Sequence, residues 1–335
     1  MEPIRMLLLR SESDDPSPMD QSLGARLSAL HGPAASGVVV EEGYFRREDF
    51  TAMANRLARR QGRISSVIGA TNVPESARLG ELAEQMNLLC FVANNNPMVW
   101  QGKRHIFHIG LPSQQTAQAV ATLLQRAQRR QIFLLYDQTE FQSRVASSME
   151  IALTQRGMKV NSQPAAADET FELLQPWQAD LIYVIFSNEK KALSVARRIR
   201  ERVKNIPLLF GRSLLRETFL SSLDESIGEA WFVDMFHRTG MQTEKQQQFM
   251  RALSAHSVSF PTANHAFGWD LMSFCALALK AARGEPSSAI DHLESGAMLE
   301  GVTGTCSFSR ENHNGRTGFG PTTLTRWAKG RLEEV

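Results

Sequence analysis

Cysteine is scarce in this chain: Cys90, Cys275 and Cys306 are spread through 335 residues. None stand at the short paired spacings from which structural metal sites are built. Cys90 falls in one apolar run and Cys275 in another, so buried thiols are expected, although the sequence leaves a Cys90–Cys275 disulfide open. Charge of one sign is also missing. Lys and Arg total 37 against 35 acids, a net of +2, which gives no electrostatic footprint for a nucleic-acid partner. No apolar run approaches the roughly 20 residues that cross a bilayer, so the chain is not expected to span a membrane. The apolar patch Met6 to Leu9 runs straight into Arg10, Glu12, Asp14 and Asp15. A signal peptide needs a longer apolar region and a small-residue cleavage site. The patch therefore reads as a buried strand, and the chain as a cytoplasmic protein or a mature one whose leader has been removed.

Catalytic signatures are absent too. There is no G-x-S-x-G elbow, no phosphate loop of the G-x-x-x-x-G-K type, and no G-x-G-x-x-G after the first strand. His105 and His108 are too close together and too isolated to make a metal site. The expectation is a protein without enzymatic activity, cofactor or metal.

What is present is the composition of a globular protein, 42% hydrophobic with 21% charged, at a length that suits two lobes. Strand and helix patterns alternate from the start. Ile4 to Leu9 reads as a strand, Met19 to Leu30 as a helix, Gly37 to Glu41 as a strand and Arg47 to Arg60 as a helix. The stretch Ser65 to Trp100 is then one βαβ unit: Val67 to Gly69, a helical pattern from Pro74 to Met86, and the apolar run Leu88 to Val92. A crossover makes its strands parallel, so the loops at Ala70 to Glu75 and Ala93 to Pro97 rim one crevice. Thr71, Asn72, Asn94, Asn95 and Asn96 line that rim with hydroxyl and amide groups suited to a small hydrogen-bonded ligand, or else serve simply as turn formers.

The pattern repeats in the middle of the chain, with helices at Gln114 to Gln128, Phe141 to Arg156, Glu169 to Leu174 and Lys190 to Val203. Strands lie between them at Gln131 to Tyr136, Met158 to Ser162, Asp180 to Phe186 and Pro207 to Phe210. The last third reads as a strand at Glu229 to Met235, then helices at Thr243 to Ala255 and Asn264 to Ala282. A short helix after Pro286 and a hairpin-like return around Thr305 to Phe308 follow. Alternation of this kind argues for α/β architecture with parallel sheets covered by helices. Arg197, Arg198, Arg200, Arg202 and Lys204 wrap around their helix and are interrupted by Glu201, which reads as a solvated face.

Several segments in this order resemble the type I periplasmic solute-binding proteins of the branched-chain amino acid (Leu/Ile/Val) class, which serve ABC transporters. They are Val67-Ile68-Gly69 with the loop and helix after it, Ala93 to Pro97, Phe107 to Pro112, and Phe133 to Asp137 with Phe141. Phe210-Gly211, Phe267-Gly268-Trp269-Asp270 and Gly301-Val302-Thr303-Gly304 followed by Ser307-Phe308 complete them. The resemblance implies two Rossmann-like lobes joined by three crossings, near Pro112, Phe236 and Gly304, that close on a ligand trapped between them. One lobe would comprise 1–111 plus 238–303, and the other 112–237 plus 304–335. It further implies a periplasmic receptor that delivers its solute to an ABC importer's membrane subunits; the alternative is a cytoplasmic sensor of the same fold that regulates a partner protein.

Carried onto this sequence, the first lobe's ligand residues are Thr71, Asn72 and Val73, then Ala93, Asn94 and Asn95. Trp100 follows, either stacking on ligand or closing a loop over the core. The second lobe offers Phe141, Phe186, Ser187 and Arg212. Asn replaces the small hydroxyl residues that grip an amino acid in the family. Phe210-Gly211-Arg212-Ser213 puts a cation where an acidic group would hold an α-amino group. The ligand expected is thus an acid, an amide-bearing molecule or a more apolar compound rather than a standard aliphatic amino acid. Arg212 either pairs with a ligand carboxylate or lies in a solvated loop; Phe141 and Phe186 are pocket walls or ordinary core.

Overall fold

The computed structural model describes residues 3–11, 16–32, 36–45, 54–55, 58–59, 64–70, 72–94, 96–165, 178–236, 243–316, 318, 322–328 and 330–335. The chain divides into two compact units. The first comprises residues 1–112 and 242–320, the second 113–241 and 321–335. The helix expected at Glu169 to Leu174 lies outside the described residues, as does most of Arg47 to Arg60.

The first unit holds a parallel sheet of β1 (Ile4–Ser11), β2 (Val38–Phe45), β3 (Ser66–Ala70), β4 (Leu89–Val92) and β5 (Ile106–His108) in the order β2-β1-β3-β4-β5. Leu7, Leu9, Val67, Cys90 and Val92 pack against Leu79, Leu82 and Ala83 of α2 (Val73–Gln85). The alternate residues Met6, Leu8, Ile68, Leu89 and Phe91 are equally buried. That explains the near-continuous apolar strands, since a parallel sheet is covered on both faces. Pro16 and Pro18 open α1 (Pro16–His31) where missing N–H groups cost nothing. This helix packs along α8 (Ala263–Ala281), which itself contacts β1, β3 and β4.

The approach of α1 to α8 depends on two glycines. A Cβ on Gly24 would overlap the backbone carbonyl of His265, and one on Gly268 that of Gln21. Each helix therefore receives the other's backbone where it lacks a side chain, and Gln21 is held against the end of the sheet.

Between the two stretches of the first unit lie α3 (Ser113–Arg126), β6 (Gln131–Asp137), α4 (Glu140–Gln155), β7 (Lys159–Ala165), β8 (Leu181–Ile185), α5 (Glu189–Arg202), β9 (Leu208–Phe210), α6 (Glu217–Ser222) and β10 (Ala230–Asp234). Strands β7-β6-β8-β9-β10 run parallel in that order, the same winding as the first sheet. Pro164, in β7 at the sheet edge, sits where a missing donor is tolerated. After α7 (Glu244–Ala255), α8 and α9 (Pro286–Glu294), the chain forms the hairpin β11 (Ser295–Gly301) and β12 (Gly304–Ser309). It then adds β13 (Thr323–Ala328) and β14 (Arg331–Glu334), antiparallel, beside β10.

The third crossing was expected near Gly304, but residues 304–320 group with the first unit. The hairpin partner β11 and the bridge between His108 and Asn314 keep them there. A buried polar network completes the attachment. Arg316 donates through Nε to the carbonyl of Ile109 at 2.7 Å, and through its two terminal nitrogens to the carbonyl and hydroxyl of Thr303. The Thr303 hydroxyl in turn donates to Asp270, whose carboxylate also takes the N–H groups of Val302 and Thr303, each at 2.8 Å. Burial pushes the Asp270 carboxyl upward, against the opposing pull of the Thr303 hydrogen bonds and Arg316.

The cysteines are free and buried, so the Cys90–Cys275 disulfide is not formed. Burial raises Cys275 to about 12 and Cys306 to about 11, which leaves both as unreactive thiols. The expected solvated basic face needs a correction at Arg200, which is 7% exposed. Its guanidinium binds the carbonyls of Val203, Lys204, Ile206, Ile227 and Glu229, closing the carbonyl-rich end of α5 and the turns packed on it.

Removing the Arg316 charge leaves Asp270 buried without its cation. Arg316→Met should cost about 3–5 kcal/mol and lower the melting temperature by on the order of 10 °C; an unchanged melting temperature would show the network to be dispensable. Gly268→Ala should cost roughly 1–3 kcal/mol by forcing α1 and α8 apart, read as an earlier midpoint in chemical denaturation.

Candidate functional site

In doubly wound sheets of this order, ligands bind beyond the carboxyl ends of the strands, at the point where the winding reverses. For the first unit that end carries Ser11 as the last residue of β1, Asn72 after β3, and Ala93 and Asn94 after β4. Thr71 and Asn95 lie outside the described residues. Asn72 is the N-cap of α2: its side-chain oxygen accepts from the Glu75 N–H at 3.2 Å, and Glu75 returns a bond to the Asn72 N–H. This is a capping box. The buried Glu75 carboxylate also accepts from the Ser11 hydroxyl, tying the β1 and β3 loops together. Val73 opens the helix beside them, half-buried.

The loop after β4 is held by its own amides. Asn94 accepts at Oδ1 from the Asn96 N–H at 3.1 Å, and Asn96 accepts from the Met98 N–H at 3.1 Å to start the short 3-10 turn at Pro97–Val99. Asn94 is buried, with Nδ2 lacking a partner among the described residues. The carbonyl of Ala93 accepts from Gln21 Nε2 at 3.4 Å. Behind the loop, Trp100 stacks on His108 with centroids 3.6 Å apart and planes 7° apart. His108 bonds through its ring to the Asn94 carbonyl and to Asn314. One face of the Trp100 ring is thus taken by an imidazole, and the residue belongs to the core under the loop.

The second unit presents its residues on the corresponding end of its own sheet. Phe141 lies in the first turn of α4, where Thr139 is the N-cap, and is 39% exposed. Phe186 and Ser187 follow β8; Phe186 is buried, and the Ser187 hydroxyl accepts from Gln142 Nε2 at 2.7 Å. Arg212, after β9, is half-buried at the start of a short 3-10 turn. Burial pushes its guanidinium down to about 10, opposed by Tyr183 and Asp234, and it contacts the Met235 sulfur. It remains a cation at neutral pH, set among the ends of β8, β9 and β10. Lys191 pairs with Asp137 at the end of β6 at 3.5 Å.

Each unit therefore gathers its own described candidates at one sheet end. Sequence reasoning passed over Gln21 and Ser11, and placed Glu75 on the rim without giving it a role. The S/T/N-x-x-E spacing of Asn72 and Glu75 was a usable capping signal; Gln21, on a helix weakly patterned for burial, carried none. Among the described residues no group of three His, Cys, Asp or Glu is placed to hold a metal, and no helix is long and apolar enough to cross a membrane.

Solved structures of the same fold span the whole chain. A substrate-binding protein of an ABC transporter from Sphaerobacter thermophilus has TM-score 0.81 and 17% identity, covering 100% of this chain and 96% of its own. One from Desulfitobacterium hafniense, in complex with Leu, has TM-score 0.78 and 18% identity, covering 100% of each chain. A solute-binding protein of R. palustris in complex with benzoate has TM-score 0.77 and 15% identity, covering 99% of this chain and 95% of its own. No curated protein matches. The family model described as periplasmic binding protein matches residues 37–331, and with the doubly wound units it shows that the chain belongs to the periplasmic binding protein family and has a solute-binding role.

Proposed function

We propose that the chain is the solute receptor of an ABC importer, that loops of both units hold one small molecule, and that the importer's membrane subunits receive it. The compartment that fits this reading is the periplasm. One observation carries the proposal beyond the family: Asn94, just after β4, has a buried amide nitrogen with no partner among the described residues, and a buried donor is ordinarily satisfied. Asn72, Val73 and Ala93, with Thr71 and Asn95, form the rest of the proposed first wall, backed by Trp100; Phe141, Phe186, Ser187 and Arg212 form the second. Neutral amide groups dominate the first wall and a cation marks the second. That chemistry does not resemble an α-amino acid site, so the ligand is not a standard aliphatic amino acid. A second reading, a cytoplasmic sensor acting on a partner protein, is favoured by the three buried free thiols; cell fractionation separates the two.

A thermal-shift screen of acids, amides and apolar metabolites should yield a stabilising solute, because a ligand of the native state raises its melting temperature. Calorimetry with that solute should show Asn94→Ala and Phe141→Ala each weakening affinity by about 1 kcal/mol or more, with circular dichroism unchanged. Equal affinity in both variants would remove these residues from the site.

A further inference from the structure

The end of the first sheet carries two buried groups of opposite sense that have no partner among the described residues, and their orientations are settled by their neighbours. Gln21 is 6% exposed and Asn94 9% exposed. The carbonyl of Ala93 can only accept, so the Gln21 amide must turn its nitrogen toward it, which leaves Oε1 as a buried acceptor without a partner. The Asn96 N–H can only donate, so Asn94 must turn Oδ1 toward it, which leaves Nδ2 as a buried donor without a partner. Gln21 bonds the carbonyl of Ala93, the residue immediately before Asn94. Neither is loosely held: Gln21 sits on the helix locked by Gly24 and Gly268, and the Asn94 backbone is bound by His108.

The adjoining strand ends are closed to anions. A helix N-terminus would normally attract a carboxylate, but that of α2 already holds one of its own. Glu75 takes the Asn72 N–H and the Ser11 hydroxyl, and the Asn72 side chain takes the Glu75 N–H. Strands β3 and β4 are direct neighbours, spaced about 5 Å apart. A ligand carboxylate at Asn94 would therefore stand within reach of the Glu75 charge, and it would offer the Gln21 oxygen nothing but another acceptor.

We infer that this wall selects an uncharged carboxamide-type group, a primary amide, lactam or urea, whose N–H donates to Gln21 Oε1 while its carbonyl accepts from Asn94 Nδ2, and that it discriminates against the free carboxylate. This deepens the solute-receptor reading and rests on it, naming the class of solute that the first wall takes. Gln21 is then a specificity residue that the loops after β3 and β4 do not include.

The test uses the smallest members of the two classes. In nitrogen-15 spectra of the full chain, the Asn94 side-chain signals are identified by their loss in Asn94→Ala, and acetamide and acetate are titrated separately. The expected result is a saturable shift of those signals with acetamide and none with acetate. In Gln21→Met the acetamide affinity should fall roughly tenfold, as expected for a lost buried hydrogen bond. Acetate saturating as tightly as acetamide, or acetamide giving no saturable shift, overturns the inference. If the solute screen finds a ligand while acetamide leaves Asn94 unmoved, the receptor reading stands and the amide class falls; if no solute stabilises the chain either, both fall.

Discussion

The first unit is made from two distant stretches of chain, and beside the packing of α1 on α8 it is the buried Arg316 guanidinium that ties them together. Its hydrogen bonds reach Ile109, at the end of the first stretch, and Thr303, in the second. Asp270 fixes Thr303 from the long helix α8. A planar guanidinium presents its donors from three separate nitrogens in a fixed fork, and each nitrogen here meets its own acceptor. Buried charge is costly unless it is paired and hydrogen-bonded, and here the cation and carboxylate share one hydroxyl. Because Ile109 follows directly from β5, this network also sets where β5 ends, and with it His108 and the loop that His108 and Trp100 support.

That support reaches the candidate wall. Asn94 is gripped through its backbone by a buried imidazole, whose other nitrogen meets Asn314 from the returning segment. Gln21 arrives from the opposite direction, on a helix whose position is dictated by glycine contacts with α8. The wall is thus pre-set by elements distant in sequence, the arrangement expected where polar groups must be held unsatisfied until a ligand comes. Unsatisfied buried groups weaken a fold. Gln115 Oε1 and Thr325 Oγ1 are buried without partners among the described residues too, so the proposal rests on the position of Gln21 and Asn94 at the end where doubly wound sheets bind ligands and not on the missing partners alone.

The sequence made the parallel sheets legible because strands buried on both faces are apolar throughout, as in Leu88 to Val92 and Asp180 to Phe186. Helix limits were close for the same kind of reason: Asn264 to Ala282 became Ala263–Ala281. What escaped was decided by tertiary pairing. β13 and β14 exist because they extend an existing sheet at β10, and nothing local announces that. Residues 304–320 stay with the first unit because of a hairpin partner and Arg316, not because of their own pattern. Arg200 read as solvated because its charge is visible in sequence and its five carbonyl partners are not. In the site, the loops after β3 and β4 were found from the βαβ pattern, whereas Gln21 depends on a helix–helix approach that no local spacing encodes.

The central claim is that the chain reversibly holds one small solute without altering it. Native mass spectrometry of the chain, after unfolding, refolding and equilibration with a metabolite extract, tests this most directly. The account predicts one added small-molecule mass per chain, lost again on unfolding and recovered chemically unchanged. A chain that retains no solute, or releases it as a different compound, would contradict it.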